Sequence, residues 1–192
     1  MSIQSIEIAA VGQTLPDFVL PSHTGQVVRI ADYKGTKNLI LFFMREFNCS
    51  SCNEYARRLS MLYPEIQKTS TEVLVVGLGG ELLAQSMAKR VNAPYPVLYD
   101  RDGAVYDLLR LDRVLFSVIQ RSAAFVVDQN GVVRHTHHIT VPAQWRSLGA
   151  LADVLTSLNV QEPLVLANAA RSGGSSFWQQ TIQRLVSRTP EK

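Results

Sequence analysis

Asn-Leu-Ile-Leu-Phe-Phe-Met-Arg-Glu-Phe-Asn-Cys-Ser-Ser-Cys, residues 38–52, decides the fold. The continuous apolar run at 39–44 is the pattern of a central strand covered on both faces. It stops at Arg45. Beyond it, Cys52, Tyr55, Ala56, Leu59, Leu62, Tyr63 and Ile66 recur at helical spacing, with Glu54, Arg57, Arg58 and Glu65 on the other side. That predicts an amphipathic helix over about 50–68, which Pro64 is expected to kink or end. Cys49 and Cys52 are the only 2 cysteines in 192 residues, and they fall at this strand-to-helix junction in C-x-x-C spacing. A thiol at a helix N-terminus feels the positive end of the backbone dipole, which favours the nucleophilic thiolate. A second sulfur one turn away can resolve an oxidised first one into a disulfide.

Working outward, the segments at 16–21 and 27–30 read as a hairpin with Gly25 in its turn. A second buried strand is expected at 72–78, a helix from about 81 to 90, a short strand at 94–99 and a short helix at 102–109. Strands at 123–127 and 132–136 flank an Asn130-Gly131 turn. Strands alternating with helices give an α/β fold with a mixed central sheet flanked by helices. A helix at about 143–157 should close the domain, taken as residues 1–159. Residues 160–192 then hold a linker around Ser172-Gly-Gly-Ser-Ser176 and a tail helix with Phe177, Trp178, Ile182, Leu185 and Val186 on one side. This C-terminal helical extension either docks on its own domain or faces a partner or subunit.

Composition narrows the function. With 46% hydrophobic and 18% charged residues the chain is a folded globular protein. A net charge of +3 makes the surface mildly basic, and no Lys/Arg run is interleaved with aromatics, so no nucleic-acid partner is expected. Residues 1–10 carry no basic and apolar leader pattern, and no apolar run approaches the ~20 residues of a membrane helix. The expected setting is cytoplasmic, without a membrane partner. There a C-x-x-C pair is catalytic or metal-binding rather than a structural staple.

Several motifs carry less. Zinc needs about four ligands, and neither a second C-x-x-C nor a spaced His pair is present, so no metal is expected. His135 and His137 share one face of a strand and His138 the other; they are read as polar edge-strand residues or a weak metal pair. Gly77, Gly79 and Gly80 suggest a dinucleotide loop, but Leu82 stands where the third glycine belongs, and no cofactor is expected. Arg45 and Glu46 flank the cysteines. Arg45 either lowers a thiol pKa or is, like Glu46, an exposed loop charge.

The order Val-Gly-Gln-Thr-Leu-Pro-Asp-Phe (11–18), Gly25, the run 39–43, Cys49-x-x-Cys52, Pro-Val-Leu-Tyr-Asp (96–100) and Phe-Val-Val-Asp-Gln-Asn-Gly (125–131) resembles the alkyl hydroperoxide reductase/thiol-specific antioxidant family, in its peroxiredoxin-like branch. The resemblance covers about residues 11–158. It implies a thioredoxin-like fold with an added N-terminal β-hairpin. It also implies thiol-dependent reduction of peroxides, with re-reduction by thioredoxin- or glutaredoxin-like donors and a homodimer as one admissible assembly. The alternatives are a thiol–disulfide reductase acting on protein disulfides and a non-catalytic redox-sensing module.

By the same resemblance, Cys49 matches the thioredoxin nucleophile and Cys52 the peroxidatic cysteine. The hydroxyl residue that peroxiredoxins place three positions earlier is replaced by Cys49, counting from Cys52, or by Glu46, counting from Cys49. The arginine that they place at the start of the strand 123–127 falls on Ser122, with Arg121 adjacent. Cys49, Cys52, Arg45 and Arg121 are therefore the candidate catalytic residues.

Overall fold

The computed structural model describes residues 9–111, 113–114, 119–120 and 122–139, all within the compact unit Met1–Pro142. Strands β1 (Val19–Pro21) and β2 (Val27–Arg29) pair antiparallel, and a 3-10 turn follows at Ile30–Tyr33. Then come β3 (Asn38–Phe43), α1 (Ser50–Gln67), β4 (Thr71–Leu78), α2 (Glu81–Val91), β5 (Val97–Asp100) and α3 (Ala104–Leu108). A two-residue pair, β6 (Arg113–Val114) and β7 (Ile119–Gln120), precedes β8 (Ser122–Val127) and β9 (Val133–Ile139).

The central sheet has the order β5-β4-β3-β8-β9. β4 runs parallel to β3 and β5 parallel to β4, while β8 is antiparallel to β3 and β9 to β8. The sheet is mixed, as the alternation of elements predicts. All six β3 residues are buried, because both faces of this middle strand are covered. Leu39, Leu41 and Phe43 join a cluster with Phe18, Leu20, Ile30 and Tyr106, so the N-terminal hairpin and α3 cover one face. Phe42, one residue out of phase, meets the Tyr55 ring of α1 at 4.5 Å. Period-two alternation thus sends successive apolar side chains into two cores. Burying each of these large side chains is worth about 1.5–3 kcal/mol.

Two devices hold the ends. Asp128 Oδ1 accepts from the N–H groups of Asn130 and Val132, both at 2.9 Å, and closes the turn in which Gly131 takes φ +79°. His23 fastens the N-terminal hairpin to β5: its N–H donates to Val97 O at 2.8 Å, and its Nδ1 accepts from Val97 N at 3.2 Å.

Pro64 does not end its helix, which runs on to Gln67. A proline removes one N–H and crowds one carbonyl. Ile66, 1% exposed, anchors the last turn, and the Lys68 N–H closes it on Glu65 O and Ile66 O. The strand expected from 94 starts at Val97, after the two prolines Pro94 and Pro96, which have no N–H for a ladder. The 3-10 turn and the β6–β7 pair are additions to the expected elements. The helix at 143–157, the tail at 177–186, the boundary at 159 and Arg121 lie outside the described residues. Among those residues no helix is long and apolar enough to cross a membrane.

Candidate active site

β3 delivers the chain to the cysteines. Beyond Phe43, the Met44 N–H donates to Val76 O at 2.8 Å, continuing the ladder by one bond. The chain then leaves the sheet, and Cys49 takes the N-cap position of α1 with φ −63° and ψ 114°. Its sulfur does the work of a capping oxygen: Cys49 Sγ accepts from the Cys52 N–H at 3.4 Å. Ser51 Oγ lies 3.3 Å from the same sulfur. Cys52 Sγ in turn accepts from the Arg45 N–H at 3.4 Å.

The two sulfurs differ sharply in environment. Cys49 is half-buried, whereas Cys52 is 0% exposed on the apolar side of α1. The Cys49 thiol pKa is pulled down to about 5. The main cause is the hydrogen bond it receives from the Cys52 thiol; Ser51, the Cys52 N–H and the Arg45 charge add to it against the cost of burial. The Cys52 pKa is pushed far up, first because its proton is held by Cys49 and then by burial. At neutral pH the site is a Cys49 thiolate beside a Cys52 thiol.

Three side chains outside the cysteine motif hold this loop. Asn53, 5% exposed, donates through Nδ2 to Phe47 O at 2.9 Å and to Cys49 O at 2.8 Å. Its Oδ1 has no hydrogen-bond partner among the described residues, which costs on the order of 1–3 kcal/mol. Arg90 reaches from α2 and donates to Phe47 O at 3.3 Å. Beneath the cysteines, the Tyr106 hydroxyl donates to Met44 O at 2.6 Å and lies 3.1 Å from Val76 O, tying the ends of β3 and β4 together. Burial raises its pKa well above the usual value and keeps it protonated. None of the three carries a sequence signal, since each sits alone in a helical pattern.

Gly77 has a packing explanation. A Cβ on Gly77 would lie 2.5 Å from Phe47 Cε1, so the Phe47 ring rests on bare backbone of β4. The substitution Gly77→Val is expected to cost about 1–3 kcal/mol through overpacking and to displace the 45–49 loop. A lowered melting temperature, with slower alkylation of Cys49 in the still-folded protein, checks this.

Of the residues singled out in the sequence, Cys49, Cys52 and Arg45 come together. Glu46 is exposed and contributes its carbonyl, which accepts from the Cys49 N–H at 3.2 Å. Arg121 lies outside the described residues. Ala123 pairs with Phe43, so the start of β8 adjoins the end of β3 from which the cysteine loop departs. His135 and His137 sit on β9, separated from β3 by β8. The His135 pKa is lowered by burial and then by His137. Among the described residues no group of three or more His, Cys, Asp or Glu could hold a metal.

A mixed α/β sheet that presents a dithiol at a helix N-terminus defines a class, the thioredoxin-fold thiol oxidoreductases. Comparisons with known proteins agree. The model of the AhpC/TSA family matches residues 11–136. The chain is 32% identical over 126 residues to the thiol-disulfide oxidoreductase ResA of Geobacillus thermodenitrificans, covering 65% of this chain and 67% of that one. It is 28% identical over 129 residues to the putative peroxiredoxin bcp of Coxiella burnetii, covering 64% and 84%. The crystal structure of peroxidoxin BcpB from Mycobacterium tuberculosis superposes with a TM-score of 0.66 at 20% identity, over 79% of this chain and 97% of that one, a likeness of fold. The chain belongs to the AhpC/TSA family, and it is a thiol-dependent oxidoreductase.

Proposed function

We propose that Cys49 is the attacking thiolate and Cys52 the resolving thiol of a dithiol/disulfide couple that reduces disulfides. The observation that carries this reading is the asymmetry of the pair: the half-buried Cys49 sulfur caps the helix and accepts the Cys52 N–H, which lowers its pKa, while the Cys52 sulfur is buried, which raises its own. Cys49 attacks a substrate sulfur, the substrate S–S bond breaks, and one substrate thiolate leaves. Cys49 is then a neutral mixed disulfide. The first cause of the raised Cys52 pKa is thereby gone, while the Arg45 N–H still aims at Cys52 Sγ. Cys52 loses its proton and attacks Cys49. The Cys49–Cys52 disulfide forms and the second substrate thiolate is expelled. A thioredoxin- or glutaredoxin-like dithiol returns two electrons by the reverse exchange. The reading places the chain in the cytosol, where such donors operate, and both thiols come from one α1, so a homodimer is not needed for the reaction.

Magnitudes locate the advantage of the site. At pH 7 a thiol of pKa about 5 is almost fully ionised, whereas a free cysteine of pKa about 8.5 is ~3% ionised, a gain of roughly 30-fold. Intrinsic nucleophilicity falls with pKa, and over about 3.5 units that costs roughly the same factor. The two cancel near pH 7. Below it, free cysteine loses thiolate and Cys49 does not, so the relative rate of Cys49 should rise about tenfold per pH unit between about 7 and 6. The low pKa also makes Cys49 the better leaving group when the donor dithiol closes its own disulfide and releases it.

A second reading, reduction of hydroperoxides, draws on the peroxiredoxin name of a relative and on the Arg45 charge beside both sulfurs. Here too Cys49 is the proposed attacking atom. Its thiolate attacks a peroxide oxygen, the O–O bond breaks and the alcohol (water, from hydrogen peroxide) leaves; Cys52 then condenses with the resulting sulfenic acid and releases water. The buried, protonated Cys52 is poorly suited to attack first. Fully reduced protein mixed with stoichiometric hydrogen peroxide, or with a protein disulfide, separates the readings by thiol quench and intact mass. The expected result is reduction of the protein disulfide, with peroxide oxidation no faster than that of a free thiolate. Peroxide oxidation about 1,000-fold faster than a free thiolate, without disulfide turnover, would overturn it.

A further inference from the structure

We infer that Asn53 is a positioning residue that holds the Cys49 sulfur against its hydrogen-bond donors. The amide spends both of its hydrogens on the backbone of the nucleophile loop, one on Phe47 O and one on Cys49 O. Cys49 O also accepts the Asn53 main-chain N–H at 2.9 Å, so one residue grips the N-cap carbonyl twice. Phe47 O is gripped from two helices, by Asn53 of α1 and Arg90 of α2. The segment 47–49 is therefore pinned at both ends.

The consequence follows from geometry. Cys49 Sγ meets the Cys52 N–H only while Cys49 keeps its extended N-cap backbone. Helix propensity does not favour asparagine in this first turn over an apolar residue of the same shape. The position is buried, and an apolar side chain would avoid leaving Oδ1 without a partner. What an apolar side chain lacks is the two-pronged donor. Without it Phe47 O keeps only Arg90 and Cys49 O only the Asn53 main-chain N–H, the loop relaxes, and the sulfur moves away from the N–H and thiol that stabilise its charge.

The inference rests on Cys49 being the thiolate nucleophile, and the experiment reads the two claims separately. Thiolate absorbance is titrated against pH in the wild type, Asn53→Leu and Asn53→Ser. The groups that act on Cys49, namely Cys52, Ser51 and Arg45, stay in place in both variants. A wild-type midpoint near 8.5 would reject the nucleophile itself, whatever Asn53 does. With the wild-type midpoint near 5, Asn53→Leu should raise it by about one pH unit or more, a roughly tenfold loss of thiolate affinity. Asn53→Ser, able to reach Cys49 O but not Phe47 O, should fall between. A merely structural role would lower the melting temperature of both variants and leave the midpoints of the folded proteins unchanged, and that result overturns the inference. Should Asn53→Leu not fold, the midpoint of Asn53→Ser decides by the same rule.

Discussion

Cys49→Ser is expected to abolish turnover, with a fall of at least about 1,000-fold against any disulfide or peroxide substrate. The loss is chemical rather than structural. A serine hydroxyl is similar in shape and caps a helix well, so the N-cap bond to the Cys52 N–H survives and stability should change by less than about 1 kcal/mol. Serine is not ionised at neutral pH, however, and its oxygen forms no disulfide. Cys52 cannot substitute, because it is fully buried. Its partner's charge would be gone, lowering its pKa, but its burial would remain. Steady-state reduction of a protein disulfide, beside a thermal melt, checks both halves of this expectation.

Cys52→Ala is expected to give the next largest effect, in two measurable parts. Turnover should stop after one encounter, with the substrate retained on Cys49 as a mixed disulfide visible by intact mass. The Cys49 pKa should also rise from about 5, because its main stabiliser is the hydrogen bond from the Cys52 thiol. The direction is fixed by the charge: removing a donor destabilises the thiolate relative to the thiol, so the proton binds more tightly. Cys52→Ser, which restores a donor without restoring a resolving sulfur, should recover part of the pKa while leaving the mixed disulfide trapped.

How much of this was legible in the sequence depends on what each residue answers to. β3 and β4 were readable because a strand covered on both faces leaves an unbroken apolar run, and 39–44 and 73–76 are such runs. The cysteine pair was readable because its spacing and its junction position are local. Which sulfur attacks was not, since that turns on burial and on donors from Ser51, Cys52 and Arg45, set only once α1 has packed. Asn53 was invisible for a related reason. Beside Cys52 it reads as an ordinary polar helix residue, yet it turns inward to meet two carbonyls. The glycines at 77–80 invited a nucleotide reading that Leu82 excluded. The purpose of Gly77 appeared only with the Phe47 ring lying across it.

The most direct test of the central claim is site-resolved alkylation of the reduced protein as a function of pH, with peptide mapping to assign each label. The account predicts that Cys49 alone is labelled in the native state, with a midpoint near 5, and that Cys52 reacts only on unfolding. Labelling of Cys52 ahead of Cys49, or a Cys49 midpoint near 8.5, would contradict it.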